Sequence, residues 1–399
     1  MRARTASKNA CMIKATAALL FWLAVLLLQK FNWQLGVYKA LVLLALLAAV
    51  PFVVAQARRG GDAAADHAPR LLKAAAVALL LAHVGYAVAK LHHPSLIDAA
   101  NVTIAEGQDL RAGSNPYESA LDTEAEAATH DARFAGYKYL PVTIAAYLPL
   151  GGALGPRGIV LTNLLLQVAV VALVFRLGAA MASPSAGWLA VLLYLSLPMV
   201  PFQLFAKGAL DLVAVLPLLA ALLLVERNPG LAGLCIGLSL AAKLLPGALL
   251  VPCGLPGRRR NRLVYAAGIA VALLPVLPFA IWSPRALFDN IVLFNLVRPA
   301  DSTSWLIAAP GARPAVAAVM ALLYLAAAAD VWLRPPRLAR RCGIAVALIL
   351  ASLLAAPAVH HNYQLWWLPL ASALLGAALA PQRLPSVASA ATKWRLGSI

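Results

Sequence analysis

Charge is scarce in this chain. Asp, Glu, Lys and Arg supply only 12% of its 399 residues, about half the share of an ordinary water-soluble domain, and that shortfall argues against a soluble enzyme. Acid is scarcer still, with 15 Asp and Glu against 33 Lys and Arg and a formal charge of +18. Cysteine is nearly absent: Cys11, Cys235, Cys253 and Cys342 lie in or beside apolar runs with no C-x-x-C pair. This speaks against a disulfide framework or a zinc site and for small buried side chains. Also missing are a D-x-D acid pair, a P-loop and a G-x-G-x-x-G turn, so no signature for a nucleotide or nucleotide sugar is present. A substrate delivered by the membrane itself is the natural alternative.

Apolar sequence is what the chain has in abundance, 62% of residues with a mean hydropathy of +0.82. At roughly 20 residues per crossing this would fill about 12 spans. Apolar segments fall near 12–29, 37–57, 71–91, 139–153, 158–176, 186–204, 209–225, 230–252, 263–282, 314–333, 343–359 and 365–380. The fold class expected is therefore all-α, a polytopic membrane protein of about 11–13 transmembrane helices. The start, Met1 to Lys14 and then apolar Ala15 to Leu28, has the layout of a signal peptide but no A-x-A cleavage site before Gln29-Lys30. A retained first helix is expected. Three regions follow: an N-terminal hairpin (1–70), a transmembrane core (71–380) and a cytoplasmic tail (381–399).

The basic residues gather at Arg58-Arg59, at Arg258 to Arg260 with Arg262, at Arg334 to Arg341, and at Lys393 with Arg395. Counted from a cytoplasmic N-terminus, all of these fall in the cytoplasm, as the enrichment of Lys and Arg in cytoplasmic loops requires. The positive charge thus reads as topology and implies no nucleic-acid partner. Residues 92–138 then lie outside and hold eight of the fifteen acids. A loop this long is the first place to look for a site. The second is 283–304, with Asp289, Asn290, Asn295, Arg298 and Asp301.

Two segments are irregular. Residues 139–153 would span only about 22 Å as a helix, short of the roughly 30 Å hydrocarbon core, which suggests a re-entrant or interfacial piece. Leu231 to Pro252 is interrupted at Lys243-Leu-Leu-Pro246, where a charge and a proline suggest two half-helices meeting at a polar cavity. If both breaks are real, Gln203 to Asp211 lies outside; if neither is, it lies in the cytoplasm. Counting crossings leaves both open.

Within the first loop, Ser95-Leu-Ile-Asp98 has the capping-box form, and Gly113 with Asn115-Pro116 supplies a stop. A juxtamembrane helix over 96–112 is predicted. Asp98 reads either as a cap or as a general base, and the two are compatible, because a helix N-terminus favours the ionised carboxylate. Asp109 is eleven residues on, roughly 16 Å along the axis. That is too far for a glycosidase pair, so one base acting alone fits better. Lys207, Asp211 and Lys243 interrupt apolar segments and require an explanation. Either Lys207 and Asp211 pair at i,i+4 spacing, or a lysine snorkels to the interface, or Lys243 and Lys207 bind a phosphate in a cavity open to the outer leaflet. Arg298 is a comparable phosphate ligand. His360-His361 adjoins aromatic residues that read as belt anchors, and two adjacent histidines share no helix face well enough for a metal pair. No metal site is expected.

A family resemblance joins these pieces. Asp98 ahead of a juxtamembrane helix is followed by Gly113-Ser-Asn-Pro-Tyr117 and Tyr137-Lys-Tyr-Leu-Pro141. Next come Ala232-Gly-Leu-Cys-Ile-Gly237 to Lys243-Leu-Leu-Pro246, and Ala356-Pro-Ala-Val-His-His361. Over residues 71–380 the chain resembles the GT-C class of integral membrane glycosyltransferases. It is most similar to glycosyltransferase family 87, which includes polyprenyl-phosphate-mannose-dependent mannosyltransferases and related arabinofuranosyltransferases. The resemblance implies a GT-C-like core with a large first extracytoplasmic loop. It implies transfer of a sugar, mannose first, from a polyprenyl-phosphate donor to a lipid or glycan acceptor at the outer face of the cell membrane, without a cofactor. Asp98 would deprotonate the acceptor, and Lys243, Arg298 and Lys207 would hold the departing phosphate. Asn115, Tyr117, Lys138, Tyr139, Asp211, His360 and His361 would line the substrates. Where family members often carry Gly-Gln-x-Asn, this chain has Gln203-Leu-Phe-Ala-Lys207-Gly-Ala-Leu-Asp211, which leaves the donor open. A transporter or lipid flippase would also suit broken helices and buried charges, although no matching halves are visible. A ligase using lipid-diphosphate donors is a third reading.

Overall fold

Each apolar segment from residue 71 onward folds as helix, and the breaks fall where proline, glycine or charge interrupts the run. In a computed structural model, which describes residues 68–121 and 123–380, the helices are α1 (Ala68–His92), α2 (Asp98–Arg111), α3 (Pro141–Leu154), α4 (Pro156–Met181), α5 (Pro184–Leu195), α6 (Leu212–Leu224), α7 (Pro229–Ala242), α8 (Leu244–Leu250), α9 (Arg259–Leu273, continuing to Trp282), α10 (Arg313–Leu333), α11 (Leu338–Ala355) and α12 (Leu368–Leu379). No strand occurs among the described residues. Proline opens α3, α4, α5 and α7, a position where its missing N–H costs no hydrogen bond. The expected hairpin over 12–57 and the tail lie outside the described residues.

α1, α4, α9, α10 and α11 are long and apolar enough to cross a bilayer, and α5 with Met199–Ala206 forms a span bent by 61°. α3, α6, α7 and α12 are shorter apolar helices. Leu263, Val271 and Ile281 on α9 and Leu322 and Leu325 on α10 are exposed, as faces turned to hydrocarbon would be. Inside the bundle, His83 Nε2 meets Leu195 O at 3.0 Å, and Gln167 contacts both His83 and the Tyr194 hydroxyl. This polar contact ties α1, α4 and α5 together in a layer that is otherwise apolar.

The two ends of the bundle differ in chemistry. At one, the loops meet: Ile97 N–H donates to Lys207 O, Leu140 N–H to Ala242 O, and Ser304 Oγ to Ala356 O. At the other, Arg341 is buried and donates to Pro336 O, Cys253 O, Leu255 O and the Glu226 carboxylate. Glu226 thus sits with the Arg334–Arg341 cluster, while Asp211, at the start of the same helix α6, sits with the loops. This decides between the two counts: Gln203 to Asp211 lies at the loop end, and α7 and α8 rise to Lys243 and turn back. α3 packs along α2 at that end.

One local expectation fails. α2 starts at Asp98 with Ile97 as its N-cap and no side-chain cap. Ser95 Oγ donates instead to Ala206 O, because the chain entering α2 is fastened to the broken span rather than folded over its own helix. The stop at Gly113 is present, with φ at +88°.

Candidate functional site

The site is built on the two breaks. Met199–Pro201 passes into a π-helical turn, Phe202–Ala206, and then a left-handed Gly208 (φ +69°) before α6. Asn163 on α4 holds that irregular backbone. Its Nδ2 donates to Leu204 O (2.8 Å) and Ala209 O (3.1 Å), and its Oδ1 accepts from Tyr147 (2.6 Å). The turn delivers Asp211 to a fully buried position. The second break, between α7 and α8, leaves Lys243 in extended backbone (φ −146°, ψ 122°), and its ammonium reaches Asp211 Oδ1 at 2.6 Å. The i,i+4 pair between Lys207 and Asp211 is therefore not made; a partner 32 residues away takes its place.

Asp211 has two further donors, Trp366 Nε1 to Oδ1 at 2.6 Å and Asn362 Nδ2 to Oδ2 at 2.7 Å. Trp366 is 4% exposed; sequence reasoning gave it to the interfacial belt, and the fold turns its indole N–H inward. Around Lys243 stand the rings of Tyr139, Tyr363 and Trp366, their centroids 5.0, 5.3 and 5.4 Å from Nζ, a geometry in which ring faces attract an ammonium. With both carboxylate oxygens occupied and no exposed surface, Asp211 has no means of touching a substrate. In this structure Asp211 is therefore a buried partner of Lys243, Trp366 and Asn362 and not part of an exposed lining.

Above this floor lies a charged group at the mouth. Arg298 Nη2 is 3.2 Å from His360 Nε2 and 3.4 Å from Asp301 Oδ2. Its side chain is about a quarter exposed. His360 is held below its ordinary pKa, first by burial and then by Arg298, and the charges of Lys243 and Asp98 also bear on it. The ring is therefore neutral at pH 7, and Nε2 accepts the Arg298 N–H. Asp98 is exposed in the first turn of α2 and has no hydrogen-bond or ion-pair partner among the described residues. Lys207, half-buried beside the entry to α2, places its ammonium over Phe202 at 5.7 Å. His361 is exposed and begins the 3-10 turn His361–Trp366.

Other candidates hold the loops together. Lys138 Nζ donates to Phe134 O (2.6 Å), Gly136 O and Asn290 Oδ1 (2.9 Å). Tyr117 is buried and donates to Tyr139 O, and Asn115 Oδ1 accepts from Tyr117 N–H. Asn290 Nδ2 donates to Tyr117 O, clamping the second loop onto the first. Sequence reasoning missed Glu106, a fully buried carboxylate on α2 that accepts from Ser119, and it missed Asn362. Neither stood out as an isolated charge in an apolar run, the signal that found Asp211 and Lys243. Among the described residues no three His, Cys, Asp or Glu side chains converge as metal ligands.

Comparison with known proteins adds two findings. The model of glycosyltransferase family 87 matches residues 137–357, a window that contains Lys138, Tyr139, Lys207, Asp211, Lys243 and Arg298, with Asp98 and His360 outside it. No curated protein matches the sequence. Among solved structures, ArnT from Cupriavidus metallidurans bound to undecaprenyl phosphate is similar, with a TM-score of 0.53 at 16% identity over 80% of this chain and 62% of that one. The chain thus spans about three-fifths of that protein's length, and the likeness is one of fold.

Proposed function

The chain belongs to glycosyltransferase family 87, and from that membership we propose that it moves a sugar from a polyprenyl-phosphate donor to a hydroxyl of a lipid or glycan acceptor. The observation that carries this is an exposed carboxylate, Asp98, without a hydrogen-bond or ion-pair partner among the described residues, and a partly exposed Arg298 side chain, the charges of both bearing on His360. Asp98 takes the proton of the acceptor hydroxyl. The acceptor oxygen's electron pair forms the new bond to the anomeric carbon, and the bond from that carbon to the phosphate oxygen breaks with its electrons on the phosphate. The phosphate's charge grows as it leaves, and Arg298, with Lys207 beside the entry to α2, would stabilise it. The similar fold of a protein bound to undecaprenyl phosphate supports a lipid-linked donor.

The side of action is read from charge. The loop end is opposite the arginine clusters at 258–262 and 334–341, and the positive-inside rule assigns those to the cytoplasm. Catalysis then takes place at the extracytoplasmic face of the cell membrane. Mannose is the first sugar to test, given the mannosyltransferases that the motifs resemble. Family membership sets the transporter reading aside.

The test is transfer by the purified protein in proteoliposomes, supplied with a panel of polyprenyl-phosphate sugars and read by the mass of the product. Asp98→Asn should lower the rate by about 10²- to 10⁴-fold, the usual contribution of a general base. Undiminished transfer by folded Asp98→Asn would remove Asp98 from the mechanism. Transfer only from nucleotide sugars would remove the lipid donor.

A further inference from the structure

Beneath the mouth, the Asp211 carboxylate is closed on every side. It is fully buried, its Oδ1 accepts from Lys243 and Trp366, and its Oδ2 accepts from Asn362, all within 2.7 Å. Lys243 is closed too, one proton on Asp211 and three aromatic faces around the rest of its ammonium, with 12% of its side chain exposed. An unpaired charge at this depth would be untenable, so each of the two requires the other. The pair also reaches further. Asn362 and Trp366 belong to the turn His361–Trp366, whose first flanking residue is His360, and His360 accepts from Arg298. A line of contacts therefore runs from Asp211 through Asn362 and the backbone to His360 and on to the guanidinium at the mouth.

We propose that Asp211 is a positioning residue: paired with Lys243, it anchors the His361–Trp366 turn through Asn362 and so fixes His360 and Arg298 against the leaving phosphate. This rests on the reading of Arg298 as the cation that meets the donor. On this reading Lys243 acts through its bond to Asp211 and not as the cation that meets the phosphate. It also accounts for three separate segments, 203–211, 243–246 and 360–366, converging on one buried carboxylate. A loop-borne guanidinium needs such an anchor, since displacement of about 1 Å at a reacting centre can lower a rate about 100-fold.

The decisive variant is Asn362→Ala, which removes the one of the two ties between Asp211 and the turn that lies nearer His360, while leaving Asp211 paired with Lys243 and Trp366. It should lower kcat at least 10-fold and leave the donor KM within about 3-fold, without a fall in the thermal unfolding midpoint large enough to signal misfolding. The cycle with Arg298→Ala supplies a readout that a purely structural role would not move, because positions acting through one group are non-additive. The double variant should be no slower than Arg298→Ala alone. A kcat for Asn362→Ala within 2-fold of the unmodified protein, or effects that multiply in the double variant, would overturn the proposal. Asp211→Leu with Lys243→Met guards against a trivial charge effect: it leaves neither a lone buried charge nor an acceptor for Asn362, and it should fold yet stay slow. If it regains full activity, the pair serves only its own neutrality. Should Arg298→Ala itself leave transfer unchanged, the parent reading fails, and that outcome is distinct from the others.

Discussion

His360 carries two constraints on a single ring. Its Nε2 accepts from Arg298, and burial together with that guanidinium depresses its pKa. Arg298, Asp301, Lys243 and Asp98 all act on it, two of these charges favouring protonation and two opposing it. A group whose folded pKa lies below its unfolded value binds more protons when unfolded. Its contribution to stability is therefore present above the unfolded pKa of about 6.5 and is lost as pH falls through the folded value. Protonation would also remove the acceptor for Arg298. Transfer is expected to hold at about pH 6.5 and to decline below it, as pH falls through the depressed folded value, and His360→Gln, which keeps an acceptor but does not titrate, should flatten that limb of the kcat profile. An unchanged acid limb in His360→Gln would assign it to another group.

At the scale of elements, the site depends on two irregular pieces of backbone, and irregular backbone at membrane depth must be satisfied by protein. Asn163 does this for the Phe202–Ala206 turn, meeting two carbonyls and the Tyr147 hydroxyl from one buried side chain. Asn163→Leu would leave three buried polar groups without that partner, at about 1–3 kcal/mol each. A marked fall in the unfolding midpoint in detergent is expected, together with loss of transfer, because the turn carries both Lys207 and Asp211. Thr162→Val, one residue away, loses only a hydroxyl bonded to Gly158 O within α4, and should cost far less. Equal losses from the two would show that the Asn163 contacts add nothing specific.

For the whole molecule, the end away from the loops is held by Arg341. This side chain is 1% exposed and reaches three carbonyls and Glu226, joining the chain after α6, after α8 and before α11. Arg341→Leu leaves the Pro336, Cys253 and Leu255 carbonyls without their donor and is expected to destabilise by about 1–3 kcal/mol for each that stays buried. Glu226 is mostly exposed, so Glu226→Gln should cost under about 1 kcal/mol. Denaturation of the two variants in one detergent checks the ratio. Orientation is tested by single cysteines in a background with the native ones replaced. A membrane-impermeant thiol reagent on intact cells should label position 118 or 302 at the loop end and spare 228 or 259 at the basic end. The reverse pattern would invert the assigned face.

The elements and their order were legible in the residues alone. Apolar runs bounded by proline, glycine and charge place the described helices within a few residues, because a chain in hydrocarbon has few ways to satisfy its backbone other than helix. The sequence also singled out Lys207, Asp211 and Lys243, since isolated charges in apolar sequence are costly and therefore conspicuous, and Asp98 through its place at the start of a helix in the acidic loop. It did not determine partners. Lys207 and Asp211 look paired at four residues' spacing, yet Asp211 binds Lys243, Asn362 and Trp366 from distant segments. Ser95 and Asp98 look like a capping box, yet Ser95 serves Ala206. The side of the bundle on which Gln203 to Asp211 lies was equally undecided, because two short segments leave the crossing count ambiguous. Only packing resolves these points: a buried charge takes whichever partner the fold brings within hydrogen-bond reach, and sequence spacing constrains that reach only within a single helix.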